Sequence, residues 1–388
     1  MNSTFKVAGH QLTLLRNGAE YFPHLVAAIE TAKKSVYLET YIYASDGAGR
    51  LISDALQNAA KRGVKTRLLL DGFGSADLPE SWLQELRAAG VAVLWFRKEV
   101  RWLSFKRYHL RRLHRKLALI DNTTAFIGGI NIIDDRSHGL PAPRLDYAIE
   151  IQGAVVQDIH VSMRRLWLLV AWTQLAHHGQ LDKIRLLKHA NEQQQILFIT
   201  RDSLRHRRDI ERAYLKAITE SKQEIIIANA YFLPGKKFRL ALLNAAQRGV
   251  RVVLFLQGKV EYRLQHYATH ALFDELLHAG IEIYAYQASY MHAKVAVVDS
   301  EWATVGSSNI DPFSLWLARE ANLVVKDRTF ATSLRQDLLN EMQHHSRRIA
   351  PSAWGKLNIA NWLVMRMSYL LARLLIGAFI NFRVRDDL

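Results

Sequence analysis

Apolar residues recur with helical and then strand periods along the chain, and the same order of elements occurs twice. Residues 27–72 read AAIETAKKSVYLETYIYASDGAGRLISDALQNAAKRGVKTRLLLDG, and residues 216–258 read KAITESKQEIIIANAYFLPGKKFRLALLNAAQRGVRVVLFLQG. Each stretch predicts a helix, a strand, a loop that contains glycine, a second helix and a second strand. Strands that alternate with helices favour an α/β sheet in each half of the chain.

A third pair of segments extends this correspondence. Residues 86–96 read LRAAGVAVLWF and residues 276–286 read LLHAGIEIYAY, and each predicts a helix that ends at glycine and is followed by a strand. The repeat divides the chain into four parts. We expect these to be a first domain (1–178), a polar linker (179–195), a second domain (196–350) and a C-terminal tail (351–388).

Each half then reaches a segment of unusual composition. These segments read HRKLALIDNTTAFIGGIN (114–131) and HAKVAVVDSEWATVGSSNID (292–311). Both contain the pattern H-x-K-x-x-x-x-D, formed by His114, Lys116 and Asp121, and by His292, Lys294 and Asp299. In both, an asparagine (Asn131 or Asn309) follows the histidine after 17 positions, behind an apolar strand and a glycine-rich turn. A short motif alone carries a real false-positive risk, but two in register within a repeat exclude coincidence.

This duplicated motif resembles the signature of the phospholipase D superfamily, and the resemblance covers about residues 8–350. Within the superfamily the chain is most similar to the bacterial cardiolipin synthases. The segments that suggest this are HRKLALID with FIGGIN in the first half, and MHAKVAVVD with GSSNIDPFSLWLARE in the second. The resemblance implies two α/β domains related by a pseudo-twofold axis, each a mixed sheet flanked by helices, with one active site between them.

The resemblance also implies a covalent phosphohistidine intermediate that an alcohol or water later attacks. By the same analogy His114 is the nucleophile, and His292 is the general acid and then the base. The near-symmetry of the two halves leaves this order open on the sequence alone.

Strand geometry predicts how the motif residues point. Side chains at positions i and i+2 project from one face of a strand, so His114 and Lys116 point the same way, as do His292 and Lys294. The aspartates follow their histidines by seven positions, an odd number, which turns them to the opposite face. The family's motif counts them among its catalytic residues, but we expect them to brace the turn.

The residue types suit cleavage of a phosphodiester without a metal. Such a reaction needs a nucleophile, an acid for the leaving oxygen, and positive charge beside the non-bridging oxygens. Histidine titrates near neutrality and serves either as nucleophile or as acid. The two lysines would supply the charge, and Asn131 and Asn309 would supply neutral donors. No cofactor is expected, because the other histidines lack metal-site spacing.

A carboxylate lies at the matching place in each half. Asp146 occurs in DYAIEIQG and Glu320 in EANLVVKD, 32 and 28 positions after their histidines. A nucleophilic imidazole needs its second nitrogen held, and in the family the equivalent acid orients a histidine, commonly that of the opposite half. The alternative is a carboxylate on a surface strand. The glycines of FIGGIN and VGSSN serve either as turns or as points of close approach to a phosphate.

Composition limits the partners. The 52 Lys and Arg against 36 Asp and Glu give a net charge of +16. Such a balance attracts nucleic acid or an anionic membrane, although a solvated excess of basic residues gives the same value. The chain has no cysteine, which excludes disulfides and thiolate metal sites and suits a reducing cytoplasm. The N-terminus has no apolar run of signal-peptide length.

Two further segments have a composition that is relevant to membrane binding. The first half contains an insertion of basic and aromatic residues, RKEVRWLSFKRYHLRRLHRK at 97–116. Its composition fits an anionic interface, single-stranded nucleic acid, or a solvated loop beside the site. In the tail, Arg366 and Arg373 interrupt an apolar run over 362–382 and share a helical face. The pattern favours an amphipathic helix lying in the membrane surface; a helix packed on the protein body, a dimer contact and a tilted span are the alternatives.

The sequence thus predicts a cardiolipin synthase-like phosphatidyltransferase, peripheral on the cytoplasmic side of the bacterial inner membrane. The phosphatidyl group would pass from histidine to phosphatidylglycerol, releasing glycerol or another head-group alcohol. Phospholipid and an anionic membrane surface are the expected partners, nucleic acid is not, and the oligomeric state is undetermined. One alternative is a hydrolase of the same superfamily that acts on phospholipid or nucleic acid with water. The other is a non-catalytic membrane-binding protein, whose expected degraded motif this sequence does not have.

Overall fold

The computed structural model describes residues 3–98, 111–136, 139–174, 194–202, 206–311, 318–351 and 359–385. Most of the predicted linker and residues 99–110 of the basic insertion lie outside these ranges.

The first half forms one mixed sheet with helices on its faces. Its elements are β1 (Thr4–Val7), β2 (His10–Arg16), α1 (Asn17–Thr31), β3 (Ser35–Thr40), α2 (Gly47–Lys61), β4 (Lys65–Asp71), α3 (Glu80–Ala88), β5 (Ala92–Phe96), β6 (Arg112–Leu113), β7 (Leu117–Ile120), β8 (Thr124–Gly128), β9 (Tyr147–Gln152) and α4 (Val156–Thr173). The sheet has the strand order β1-β2-β9-β8-β7-β3-β4-β5.

The second half repeats this arrangement. Its elements are β10 (Ile196–Arg201), α5 (Asp209–Glu220), β11 (Glu224–Asn229), α6 (Lys236–Gln247), β12 (Arg251–Gln257), α7 (Arg263–His270), α8 (Phe273–His278), β13 (Glu282–Tyr286), β14 (Lys294–Val298), β15 (Trp302–Gly306), β16 (Ala318–Val325), α9 (Arg328–His345), β17 (Ser346–Arg348) and α10 (Ile359–Arg385). The sheet order is β10-β16-β15-β14-β11-β12-β13-β17, with β6 of the first half added alongside β16.

The two sheets share their topology strand for strand. The order from β2 to β5 in the first sheet matches the order from β10 to β13 in the second. In each, three successive strands joined through helices are parallel, and the other pairings within this shared order are antiparallel. The predicted α/β class, with two similar domains that each contain a mixed sheet, is confirmed.

Glycine ends the second helix of each repeat for a local reason. Gly63 and Gly249 have φ values of +84° and +86°, a conformation that L side chains rarely adopt and that glycine adopts freely. The repeated Arg-Gly-Val therefore marks the point where α2 and α6 stop and the chain turns into β4 and β12.

The two halves bury one core together. A single apolar cluster includes strands β7 to β9 of the first sheet, β14 to β16 of the second, and faces of α4 and α9. Within it the rings of Phe5 and Phe330 meet edge to face with centroids 5.2 Å apart. Burial of apolar area on this scale is the dominant favourable contribution to folding, so it fixes the halves against each other.

Two short backbone pairings also cross between the halves. Strand β6 pairs in parallel with the start of β16, and Leu145 pairs with Met291 in an isolated bridge. Each pairing lies directly beside a motif histidine, so the backbone that carries each histidine is anchored to the opposite half.

Candidate active site

Each motif histidine is placed by the other half of the molecule. The backbone N–H of His114 donates to the carbonyl of Arg319 at 3.0 Å, and that of His292 donates to the carbonyl of Leu145 at 2.8 Å. We expected both histidines to lie on strands of their own sheets. Instead β7 begins at Leu117 and β14 at Lys294, because the histidines give their backbone hydrogen bonds to the opposite half.

The histidine side chains are held crosswise by the predicted carboxylates. His114 Nδ1 lies 3.0 Å from Glu320 Oε2, and His292 Nδ1 lies 2.6 Å from Asp146 Oδ2. The side chain of Glu320 is fully buried, and that of Asp146 is 6% exposed. A carboxylate only accepts hydrogen bonds, so each Nδ1 carries the proton and each Nε2 keeps its lone pair free for chemistry.

Both lysines of the motifs are buried beside the histidines. The Nζ of Lys116 donates to the carbonyl of His114 at 2.7 Å, and Lys294 makes the same bond to the carbonyl of His292. Burial lowers the pKa of Lys116 to about 7, with Lys294 as a further cause. Burial also lowers the pKa of Lys294, while Asp146 and Glu320 oppose that shift.

The pKa values of the two histidines are lowered, as are those of the two lysines. Burial lowers the pKa of His114 below its usual range, against the opposing pull of Glu320. The pKa of His292 is lowered further, first by burial and then by the charges of Lys294 and Lys116. Burial raises the pKa of Asp146 to about 6. These shifts favour the neutral form of both imidazoles in the free site, and the negative charge of an arriving phosphodiester would favour protonation of one of them.

The two asparagines are almost completely buried. The Oδ1 of Asn131 accepts the backbone N–H of Ile42 at 3.2 Å. That bond ties the end of the motif to the loop after β3 and leaves the Nδ2 hydrogens as donors. In the second half the equivalent loop is held differently, because Asn229 Oδ1 accepts the backbone N–H of Ile310 at 3.2 Å.

The motif aspartates do not lie in the site. Asp121 accepts hydrogen bonds from the backbone N–H groups of residues 33–35 at 2.8, 2.6 and 2.8 Å. Asp299 does the same with residues 222–224 at 2.7, 2.8 and 2.8 Å. Both have positive φ values, 50° and 52°, at the turn after the motif strand. The structure thus does not place them among the catalytic residues, and they clamp this turn to the start of β3 or β11.

The surroundings of the two carboxylates differ. The Oγ of Ser307 donates to Glu320 Oε2 at 2.5 Å and accepts the backbone N–H of Ala321 at 3.0 Å. The equivalent residue is Gly129, where a Cβ would lie 2.3 Å from Asp146 Oδ1. Gly129 therefore makes room for the carboxylate of Asp146. None of the glycines in FIGGIN or VGSSN has a positive φ, and Gly128 and Gly306 are the last residues of β8 and β15.

Sequence reasoning missed three contributors. The ring of Tyr41 meets that of His114 with centroids 4.9 Å apart, and Lys116 Nζ lies 5.2 Å from the Tyr41 centroid. Asp71 accepts the backbone N–H of Leu113 at 2.6 Å. Gln257, at the equivalent strand end, accepts that of Met291 at 2.8 Å. The aligned ends LLLDG and LFLQG were the available signal for the last two.

A buried ion pair supports the first motif only. Arg115, between the motif histidine and lysine, makes a bidentate contact with Glu39 at 2.9 and 2.8 Å and donates to Ser162 Oγ at 2.7 Å. The second half has Ala293 and Ala228 at the matching positions, both fully buried. Across the described ranges, no group of three or more His, Asp or Glu side chains is arranged to hold a metal ion.

Comparison with known proteins adds to this geometry. A family model described as the phospholipase D-like domain of cardiolipin synthase matches residues 25–167 and 214–342. The chain is 41% identical over 359 residues to cardiolipin synthase B of Salmonella typhimurium, which covers 90% of this chain and 84% of that protein. It is 33% identical to the major cardiolipin synthase of Bacillus subtilis, over 85% of this chain and 69% of that protein.

Solved structures agree on the fold. The phosphatidylserine synthase of Haemophilus influenzae Rd KW20 matches with a TM-score of 0.71 and 14% identity, over 95% of this chain and 94% of that one. The polyphosphate kinase of Porphyromonas gingivalis matches with a TM-score of 0.61 and 14% identity, over 95% of this chain and 53% of that one. At such low identity the likeness shows the fold alone.

Proposed function

This chain belongs to the cardiolipin synthase family of phospholipase D-like proteins, and from that premise we propose that it transfers a phosphatidyl group from one phospholipid to the hydroxyl of phosphatidylglycerol. It is an enzyme of the phosphatidyltransferase class. The observation that supports this mechanism best is the crossed arrangement of the two dyads, His114 with Glu320 and His292 with Asp146. It presents two imidazoles, each with a free Nε2, to one phosphodiester.

The reaction has two steps that balance in atoms and charge. In the first, the Nε2 lone pair of His114 attacks phosphorus, the bond to the head-group oxygen breaks, and protonated His292 gives its proton to that oxygen. In the second, neutral His292 takes the proton of the acceptor hydroxyl, whose oxygen attacks phosphorus and displaces His114. The assignment of the nucleophile rests on the family resemblance, because the two dyads have the same geometry.

Positive charge and neutral donors assist both steps. Phosphoryl transfer develops charge on the non-bridging oxygens, and preorganised cations in a buried site stabilise it more than water does. Lys116 and Lys294 lie beside the two histidines, and the amides of Asn131 and Asn309 add donors. A bound phosphodiester would also favour the cationic form of the two lysines, whose pKa burial has lowered.

The acceptor decides between the proposal and its rival. Attack by the hydroxyl of phosphatidylglycerol gives cardiolipin and releases glycerol or another head-group alcohol, whereas attack by water gives a hydrolase. The relatives that cover most of this chain are named cardiolipin synthases, which favours the lipid hydroxyl. The intact dyads in both halves argue against a non-catalytic membrane-binding protein.

We also propose a location for the enzyme. Its substrates would be in the bilayer, and its net charge of +16 favours an anionic surface, so the cytoplasmic side of the bacterial inner membrane is the expected place. In the described ranges no helix combines the length and apolarity needed to cross a membrane. We propose peripheral attachment, because the net charge of +16 favours binding to an anionic surface.

The test is incubation of the purified enzyme with defined lipids in micelles, followed by mass spectrometry of the products. Phosphatidylglycerol alone should give cardiolipin and glycerol in equal amounts. Phosphatidic acid as the main product would favour the hydrolase. The His114→Ala variant is the control for activity carried over from the expression host, and it should give neither product.

A further inference from the structure

The C-terminal helix α10 lies on the second domain by one narrow side. Among its described side chains, Met365 and Ala372 are buried, 9% and 2% exposed, and Tyr369 packs against the core of the second domain together with Ala372. These three positions repeat at intervals of four and three, which places them on one side of the helix, against α7. The alternative that the helix packs on the protein body is therefore correct for this side.

The opposite side of α10 is apolar and exposed. Seven side chains point away from the protein, each between 38% and 69% exposed: Leu363, Val364, Met367, Leu370, Leu371, Leu374 and Leu375. They occupy about 140° of the helix circumference at roughly 100° per residue. No polar residue interrupts this arc between positions 363 and 375. A contiguous exposed apolar face of this kind marks an interaction site rather than ordinary surface.

Two arginines lie along one border of the apolar arc. The Arg366 guanidinium stacks over Trp362 at 5.5 Å, and that of Arg373 stacks over Tyr369 at 5.2 Å. Arg373 also donates to the Tyr369 hydroxyl at 3.0 Å. Arginine and aromatic side chains at the edge of an apolar helix face suit the head-group layer of an anionic bilayer, where the cation meets phosphate and the ring meets the acyl boundary.

The helix beneath α10 leads to the catalytic site. Helix α7 begins at Arg263, directly after a loop that carries exposed Val260 and Tyr262, and Leu264 is exposed in its first turn. Between them, the charge of Glu261 opposes the effect of burial on the pKa of Lys294. Exposed apolar side chains therefore lie both on this loop near the catalytic site and on α10.

We propose that the exposed apolar arc of α10 is the surface by which this enzyme docks on an anionic phospholipid bilayer. The proposal deepens the proposed function, since it assumes a phospholipid substrate. A second copy of the chain is the competing occupant. Charge decides against it: a twofold contact through this arc would bring the arginine rows of two basic chains together, whereas an anionic bilayer neutralises them.

The test compares two full-length triple variants of equal charge. Met367→Glu, Leu370→Glu and Leu374→Glu alter the arc, whereas Leu51→Glu, Leu169→Glu and Leu240→Glu alter exposed leucines on α2, α4 and α6 with 41–48% exposure. Each is co-sedimented with vesicles of phosphatidylethanolamine and phosphatidylglycerol. The arc variant should bind at least tenfold more weakly than the parent chain, and the control triple should keep most of the parent's binding.

Other outcomes separate the explanations. The proposal is overturned if both triple variants bind vesicles equally. It is also overturned if the parent chain is a dimer in lipid-free solution, the arc variant is a monomer, and the two bind vesicles equally. If the triple variant does not fold, the single change Leu374→Asn at the most exposed position of the arc takes its place. It should show a smaller loss of vesicle binding. Activity on short-chain phosphatidylglycerol below its micelle concentration should survive in the arc variant. If the parent chain binds vesicles but makes no transfer product, the proposed function fails and the docking surface stands.

Discussion

The carboxylate of Glu320 lies 3.0 Å from His114 Nδ1, although 206 positions separate the two residues and they belong to different halves of the molecule. His292 and Asp146 form the reciprocal pair at 2.6 Å. Each half thus supplies the nucleophile or acid of one dyad and the orienting carboxylate of the other. Neither half contains a complete dyad of its own, so catalysis depends on the packing of the two halves.

We expect the orienting carboxylates to affect the rate of the chemical step. Glu320→Gln and Asp146→Asn keep the shape of each side chain but remove the charge that stabilises an imidazolium. The kcat should fall by about 10⁴-fold, the loss seen for an orienting carboxylate in a catalytic triad, and KM should change little. Steady-state rates on short-chain phosphatidylglycerol measure both constants.

The matched controls for these variants are Glu80→Gln and Asp274→Asn, whose side chains are 54% and 61% exposed. Both should leave kcat unchanged. If Glu320→Gln and Asp146→Asn kept kcat within threefold of the parent enzyme, the crossed dyads would be structural contacts only.

The histidines should have distinct roles. His114→Ala and His292→Ala should each lower turnover by several orders of magnitude, because one removes the nucleophile and the other removes the acid. Brief reaction with labelled lipid followed by an alkaline quench should leave the label on His114. Label on His292 would reverse the assignment without affecting the crossed geometry. The unchanged melting temperature of each variant is the control for folding.

The sequence predicted much of the site because the chain repeats itself. Two aligned copies of one motif identified His114 and His292, and the matching carboxylates followed from their place in each copy. The same argument missed Tyr41, Asp71, Gln257 and the short strand β6. Strand β6 pairs with β16 of the opposite half, and Tyr41 reaches His114 from the loop after β3. A pattern of positions within one segment carries no information about such contacts between distant segments.

The positions of the two motif aspartates were predicted correctly from the sequence. Counting positions along a strand indicated that Asp121 and Asp299 turn away from the histidines, and the structure places them on backbone N–H groups outside the site. The strand assumption behind that count was nevertheless wrong for the histidines. The histidines lie before β7 and β14. Strand geometry begins at Leu117 in the first copy and at Lys294 in the second.

The clamp made by Asp121 should contribute to stability and not to catalysis. Asp121→Ala removes an acceptor of three backbone hydrogen bonds at a residue with positive φ, and about 1–3 kcal/mol of unfolding free energy should be lost. Hydrogen bonds from residues 33–35 hold the pKa of this carboxyl below its usual range despite the opposing effect of burial. Its contribution is therefore present above the unfolded pKa of about 3.9 and lost as pH falls through the folded value.

Denaturant unfolding of the parent chain and of Asp121→Ala, at pH 7 and at pH 3, measures this difference. The gap between the two should narrow at the lower pH. Asp121→Asn is the conservative control, because asparagine tolerates positive φ and keeps one acceptor oxygen. A selective loss of kcat in Asp121→Ala with unchanged stability would instead return this residue to the catalytic group.

The pH dependence of kcat/KM should have a narrow maximum between about pH 6 and pH 7. One group of the site must be deprotonated and another must be protonated, and their pKa values lie close together. On the acid side, Asp146 must be ionised to hold His292, and burial raises its pKa to about 6. On the alkaline side, Lys116 must be charged to hold phosphate oxygens, and burial lowers its pKa to about 7. The limbs belong to the coupled cluster of the site rather than to single residues.

Lys116→Arg separates the two limbs. A guanidinium stays protonated throughout the accessible pH range. The alkaline limb should therefore move to higher pH by at least one unit, whereas the acid limb should stay near its original pH. The maximum rate of the variant should be lower than that of the parent enzyme. Lys6→Arg, a matched change at an exposed position of β1, should leave the whole profile unaltered. Rates on short-chain phosphatidylglycerol between pH 5 and pH 10 test this directly. An alkaline limb that stays in place in Lys116→Arg would show that another group sets it, and that the charge of Lys116 is not what the reaction loses as pH rises.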